Sequence, residues 1–115
     1  MWVDHLRKGN GLLAELLDHG DVVMHPFVVG EIACGRLADR ALILGLLQQL
    51  PAAAVADLDE ALGYVERHKL YGKGIGYVDV HLLASAAIGG TALWTRDKRL
   101  RSVAHELGCA FAGAT

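Results

Sequence analysis

Short apolar segments alternate with longer segments of helical periodicity along most of this chain. The short segments, at 22–24, 53–55, 92–95 and 109–111, have the length of buried strands, and Gly, Pro and Asp residues separate them from the helical segments. This alternation predicts an α/β fold in which helices flank a mainly parallel, doubly wound sheet. In such folds the functional sites form at the carboxyl ends of the strands.

The length of 115 residues predicts one domain over 1–115, and a composition with 53% apolar and 21% charged residues excludes a disordered chain. The formal net charge of -2 provides no overall basic field, so nucleic-acid binding would depend on local groups. Cys34 and Cys109 are far apart and predict free thiols in a reducing compartment. The longest uncharged stretch, 82–95, is too short to span a bilayer, and the first residues do not resemble a signal peptide. We therefore expect a soluble cytoplasmic protein without a membrane partner.

Two acidic residues fall on the apolar faces of predicted helices. Glu31 has Phe27 and Cys34 at helical spacing, and Asp79 shares a face with Leu83. Burying an unpaired carboxylate is costly, so acids in such positions indicate a shared positive partner. A divalent cation is the simplest partner, because hard cations take oxygen ligands. The pattern favours a metal-dependent enzyme of phosphate chemistry.

Each acid also has an ordinary structural explanation. Glu31 could be an exposed helix residue that pairs with Arg36, and Asp79 could stabilise the positive end of its helix dipole. Asp97 directly follows the strand at 92–95 and could be an ordinary N-cap. The functional interpretation is favoured for Glu31 and Asp79 because of their apolar neighbours. For Asp97 it depends on the position at the carboxyl end of a strand.

Four basic residues flank two of these acids, namely Lys73, Arg96, Lys98 and Arg99. We expect them to hold phosphates, with a solvated basic surface as an equal alternative for each. Lys73 belongs to the glycine-rich segment 71–76, which lacks the GK[ST] ending of a P-loop. The glycines are expected instead to let backbone and a substrate strand pass close to the site.

Three segments together resemble the PIN-domain ribonucleases, and most closely the VapC toxins of bacterial toxin–antitoxin pairs. They read HPFVVGEIACG at 25–35, YGKGIGYVDVHLL at 71–83 and LWTRDKRL at 93–100. The likeness covers essentially the whole chain in order and spacing. It implies a PIN-like, doubly wound α/β domain with an endoribonuclease site that depends on Mg²⁺ or Mn²⁺. By matching motifs, the second, third and fourth acids of that site are Glu31, Asp79 and Asp97.

The resemblance also implies partners. Structured RNA, often tRNA, is the typical substrate, and family members usually form homodimers that a VapB-like antitoxin inhibits. In this interpretation the three acids hold the cation, Glu31 directly or through water, and Thr95 hydrogen-bonds within the site. The residues that steer the RNA backbone are Lys73, Arg96, Lys98 and Arg99. A DNA-directed nuclease on the same fold is a less favoured alternative.

One departure from the family pattern concerns the start of the chain. The family opens with a short apolar strand that ends in an Asp-Thr-Ser-like triplet, ahead of a helix that resembles Trp-x-Asp-His-Leu. Residues 2–6 match that helix, so Asp4 is not the first acid. We infer that the first, central strand is missing, as it would be if Met1 were a misassigned start. The alternative hypothesis is a catalytically impaired, truncated PIN domain that binds antitoxin or RNA.

Overall fold

The computed structural model describes residues 22–36 and 38–111, so the helix expected around Asp4 lies outside the described residues. The chain divides into two compact units, Met1–Ala53 and Ala54–Thr115, and each is described by itself. The single domain over 1–115 stays a prediction. No helix in the described part of the chain is both long and apolar enough to cross a membrane.

The first unit contains helices α1 (Pro26–Ala33) and α2 (Arg40–Gln48). Helix α1 begins at Pro26 because a proline in the first turn removes no helical hydrogen bond and has a suitable φ. His25 is the N-cap, and its Nδ1 accepts a hydrogen bond from the Phe27 amide at 3.0 Å. His25 therefore has a structural role at the start of α1.

Helix α1 ends at Ala33, and carbonyls at and just beyond this end have a side-chain partner. The Arg40 guanidinium donates to the carbonyl oxygens of Ala33 and Gly35. This satisfies acceptors that a helix end leaves without an intrahelical partner. The buried core of the described part of this unit consists of Met24, Ile32 and Leu47.

The second unit contains helices α3 (Leu58–His68), α4 (Tyr77–Gly89) and α5 (Lys98–Glu106). The spacing of Asp57 and Glu60 predicts a capping box, and the structure contains it. The Glu60 amide donates to Asp57 Oδ1 at 2.8 Å, and the Asp57 amide donates to Glu60 Oε1 at 3.1 Å. Two otherwise unpaired donors at the start of α3 are thereby satisfied.

The three helices of this unit share one hydrophobic core. Leu83 of α4 is fully buried at its centre, and α5 packs through the face that carries Leu100 and Ala104. The buried members of the cluster are Ala56, Ala61, Leu70, Val80, Leu83, Ala84, Leu100, Val103 and Ala104. This core packs α4 and α5 together, and both candidate acids of the unit lie at the starts of these two helices.

Parallel pairing in the described residues consists of two isolated bridges, Met24 with Ala52 and Leu93 with Ala110. Met24 donates to the carbonyl before Ala52 at 2.7 Å and accepts from the amide after it at 3.0 Å, which is the parallel pattern. The second bridge has the same pattern at 2.7 and 2.9 Å. The predicted extended strands and continuous sheet are not seen in this part of the chain, and Ala52 lies one residue before the predicted strand at 53–55.

The first bridge cannot extend for a local reason. Pro51 precedes Ala52 and has no N–H to donate to a ladder. On the other side, the chain enters α1 at Pro26, only two residues after Met24. Pro26 and Pro51 therefore limit the pairing between these two segments to one bridge.

Candidate active site

Asp79 is the third residue of α4 and is partly buried. Its Oδ2 accepts a hydrogen bond from the Gly76 amide at 3.1 Å, so it satisfies one of the unpaired donors of the helix start. Asp79 therefore does have the ordinary structural role considered for it from the sequence, which is to stabilise the start of its helix. Oδ1 of Asp79 has no hydrogen-bond partner among the described residues, which leaves this oxygen available to a ligand.

Asp97 is the N-cap of α5 and is exposed. Its Oδ1 accepts from the Leu100 amide at 2.9 Å, and its own amide donates to the Thr95 hydroxyl oxygen at 3.1 Å. Thr95 thus holds the backbone of Asp97, while Asp97 holds the start of α5. Oδ2 of Asp97 has no hydrogen-bond partner in the described part of the chain.

Glu31 is exposed on α1, and the prediction that it lies on the buried face is wrong. Helix α1 packs through Ile32, together with the partly buried Val28 and Val29. Phe27, one of the neighbours that marked the predicted face, is itself 37% exposed. The buried stripe runs along a different side of the helix, so burial gives no reason for Glu31 to need a positive partner.

The three predicted acids are divided between the units, with Glu31 in the first and Asp79 and Asp97 in the second. Over residues 22–36 and 38–111, no three or more His, Cys, Asp or Glu side chains form a group that could hold a metal ion. The three-acid cluster stays a prediction. The donor chemistry of the two predicted acids in the second unit does fit a hard divalent cation, because Asp79 and Asp97 each keep one carboxylate oxygen outside the capping hydrogen bond.

The glycine-rich segment 71–76 packs against α5 through two of the predicted basic residues. Lys73 Nζ lies 3.3 Å from Glu106 Oε2 in an exposed ion pair. The Arg99 guanidinium lies against Gly74, where any Cβ would collide with it. Gly74 also has a φ of 76°, a left-handed conformation that favours glycine. Lys73 and Arg99 therefore already have contacts on the loop side of α5.

Lys98 lies on a different face of α5 from Arg99, and both Lys98 and Arg96 are exposed. An open cleft with a volume of about 700 Å³ runs along this second face. Lys98, Arg101 and His105 line it. Sequence reasoning did not select Arg101 and His105, although their spacing of three and seven residues from Lys98 places all three on one helix face.

Comparisons with known proteins agree with the resemblance carried by the three sequence segments. The PIN domain family matches residues 2–106. Ribonuclease VapC32 of Mycobacterium tuberculosis strain CDC 1551 / Oshkosh is 43% identical over 113 residues, which are 97% of this chain and 91% of the relative. Ribonuclease VapC32 of strain ATCC 25618 / H37Rv matches with the same values. No solved structure matches the chain.

The family match covers both units and every helix of the described residues. It implies the α/β class for the chain, while the described residues contribute helices and two parallel bridges to that class. The resemblance to PIN-domain proteins of the VapC type is confirmed. The chain belongs to the PIN-domain family and, within it, to the VapC group.

Proposed function

We propose that this chain is an endoribonuclease toxin of the VapC kind, which hydrolyses RNA phosphodiesters with the help of Mg²⁺ or Mn²⁺. The observation that carries the proposal is the extent of the likeness. Two relatives that are named ribonucleases are 43% identical to this chain over 97% of its length. The capped carboxylates of the second unit supply oxygen donors of the type that such a cation binds.

In this proposal Asp79, Asp97 and Glu31 hold the cation. The hydrogen bonds from the Gly76 and Leu100 amides fix two of these carboxylates and leave one oxygen of each for a ligand. A divalent cation, when bound, makes water a better nucleophile and stabilises the leaving oxygen of a phosphodiester. Thr95 positions Asp97 by accepting a hydrogen bond from its amide.

The basic residues around α5 hold the RNA backbone in the same proposal. Arg96 and Lys98 are exposed beside Asp97, where they can meet phosphates close to the proposed site. Arg99 and Lys73 contribute positive charge on the loop side. The partners that follow are an RNA substrate, with tRNA as the first candidate, a VapB-like antitoxin, and a second copy of the chain in a homodimer. A cytoplasmic location completes the proposal.

A second candidate function is RNA or antitoxin binding without catalysis. One observation favours it: both Asp79 and Asp97 have complete structural roles at helix starts, so neither requires a metal to explain its position. The two candidates differ in whether the bound RNA is cut.

The test is cleavage of a labelled tRNA transcript by the purified full chain with Mg²⁺ and with EDTA. We expect cleavage with Mg²⁺, none in EDTA, and none with Asp79→Asn. Asp59→Asn is the matched control, because Asp59 is also a first-turn acid, on α3, and is exposed. It should cut at the wild-type rate.

Each other outcome is informative. Cleavage that persists in EDTA, or at full rate in Asp79→Asn, would overturn the metal-dependent mechanism. RNA that is bound but left intact would favour the non-catalytic candidate. A DNA strand of the same sequence, included in parallel, should remain uncut if the substrate is RNA.

A further inference from the structure

Helix α5 has three distinct faces. One face is buried in the core through Leu100, Val103 and Ala104. A second meets the glycine-rich segment through Arg99 and Glu106. The third, which carries Lys98, Arg101, Ser102 and His105, lines the open cleft of about 700 Å³. This cleft face has no role in the fold comparable to those of the other two.

The positive charge on the cleft face is not neutralised within the described residues. The ion pair on α5 joins Lys73 to Glu106, on the loop side, and neither Lys98, Arg101 nor His105 has an acidic partner in the described part of the chain. Lys98 is the first residue of α5, where the positive end of the helix dipole disfavours a cation. Exposed cations without an acidic partner attract anionic ligands.

The cleft also has an aromatic wall. Phe111 lines it and is partly buried, and its ring stacks on Trp94 with centroids 4.9 Å apart and planes tilted by 36°. The contact with Trp94 holds the Phe111 ring at the cleft, where it offers a surface for stacking. Nucleic-acid bases stack on such surfaces without requiring a particular sequence.

The polar side chains of the cleft face are spread along the helix. Lys98 to His105 spans about 10 Å along the helix axis. That length exceeds the size of one phosphate group, so these side chains suit a ligand with more than one phosphate. The Ser102 hydroxyl lies between them on the same face and adds a hydrogen-bond donor.

We propose that this cleft binds a single-stranded segment of RNA, with phosphates on Lys98, Arg101 and His105 and a base stacked on Phe111. The choice of RNA as the polymer rests on the proposed function, whereas the cleft itself rests on the charges and the ring. Since Lys98 immediately follows Asp97, the bound strand would lead directly to the proposed acids. The cleft would thus select RNA that has an unpaired segment beside the cut.

The test measures binding of a fluorescein-labelled oligouridylate to the full chain by anisotropy, in EDTA and over a series of KCl concentrations. Arg101→Gln should weaken binding and reduce the slope of log K against log salt by about 0.7, as expected for one lost phosphate contact on a single strand. Lys98→Gln should do the same, and because Lys98 is exposed it provides a variant that keeps the fold. Phe111→Leu should weaken binding roughly tenfold and leave the slope unchanged.

The matched control is Arg67→Gln, which removes the same charge from an exposed position in the last turn of α3. It should change neither affinity nor slope. An unchanged slope in both Lys98→Gln and Arg101→Gln, or unchanged affinity in Phe111→Leu, would overturn the proposal. Displacement of the oligouridylate by polyglutamate as effectively as by unlabelled oligouridylate would also overturn it, in favour of an acidic protein segment.

Because these measurements are made in EDTA, their outcome does not depend on catalysis. Failure of the proposed nuclease function would appear as absent cleavage with intact, salt-dependent binding. Failure of the cleft proposal would appear as wild-type binding by the cleft variants, whatever the cleavage assay gives.

Discussion

The acids of the second unit and the acid of the first unit are held in different ways. Asp79 and Asp97 accept backbone hydrogen bonds at 3.1 and 2.9 Å at the starts of α4 and α5. Glu31 lies within α1, is exposed, and makes no hydrogen bond or ion pair in the described part of the chain. A helix start offers unpaired N–H groups and a positive dipole end, and a helix middle offers neither. The Asp79 and Asp97 carboxylates are therefore held by backbone hydrogen bonds, whereas no hydrogen bond or ion pair among the described residues holds the Glu31 carboxylate.

The cores beneath these acids differ as well. Helices α4 and α5 share a buried cluster that includes Leu83 and Leu100. In the described part of the first unit, α1 contributes Ile32 to a smaller buried set. The positions of Asp79 and Asp97 therefore depend on the stability of one hydrophobic core.

The largest expected effect is on stability, from Leu83→Ala. Leu83 is 0% exposed, so truncation removes buried contacts and leaves a cavity, at a cost of about 2–5 kcal/mol in the free energy of unfolding. Urea denaturation followed by circular dichroism measures it. Leu62→Ala is the control, because Leu62 lies on α3 in the same unit and is 49% exposed. An equal loss in the two variants would contradict the core described for the second unit.

A smaller effect separates capping from charge at Asp97. Asp97→Ala removes the acceptor for the Leu100 amide and should cost about 1 kcal/mol, whereas Asp97→Asn keeps an acceptor and should cost little. Glu31→Gln should change stability by no more than about 0.5 kcal/mol, as exposed positions do. Thermal melts of the three variants compare them directly. If Glu31→Gln destabilised the protein as much as Asp97→Ala, the contrast between the two acids would be lost.

The smallest effect is an alkaline loss of stability specific to the second unit. Burial raises the pKa of Tyr64 above its ordinary 10.0, with the nearby Cys109 adding to the shift, and burial raises the pKa of Cys109 above its ordinary 9.0. The fold therefore favours the neutral forms. That stability is fully present below the ordinary pKa values and is lost as pH rises through the raised ones.

Melting temperatures taken below and above pH 9.0 should show this decline. Tyr64→Phe removes one of the two titrating groups and should reduce the decline in melting temperature. A decline as large as that of the wild type would show that Tyr64 does not contribute to it. For the wild type and for Tyr64→Phe alike, the melting temperature below pH 9.0 is the reference from which the decline is measured.

Local features of the fold could be predicted from the sequence because they depend on neighbouring residues alone. Pro26 in a first turn, the box of Asp57 with Glu60, and the N-cap at Asp97 are all recognisable from spacing over three or four residues. The predicted buried face of α1 is wrong, because periodicity places Phe27 on that face and Phe27 is 37% exposed. Its exposure depends on which neighbours pack against α1, and that is a property of the tertiary structure.

The candidate site was predictable only in part for the same reason. Asp79 and Asp97 stand where the pattern expects acids, at helix starts. The predicted cluster of these two acids with Glu31 would depend on long-range packing, which helical periodicity does not encode. Arg101 and His105 could have been predicted, because their spacing places them on one helix face with Lys98. A search for acidic residues on apolar helix faces does not find them.

The central claim is that the carboxylates of Asp79 and Asp97 hold a divalent cation. Calorimetric titration of Mn²⁺ into the full chain tests this claim most directly. Loss of an outer-shell partner of a metal site costs about 10–100-fold in affinity, so loss of a direct ligand in Asp79→Asn or Asp97→Asn should cost at least as much. Asp59→Asn should bind Mn²⁺ like the wild type. Equal Mn²⁺ affinity in the wild type and in both the Asp79→Asn and Asp97→Asn variants would contradict the account.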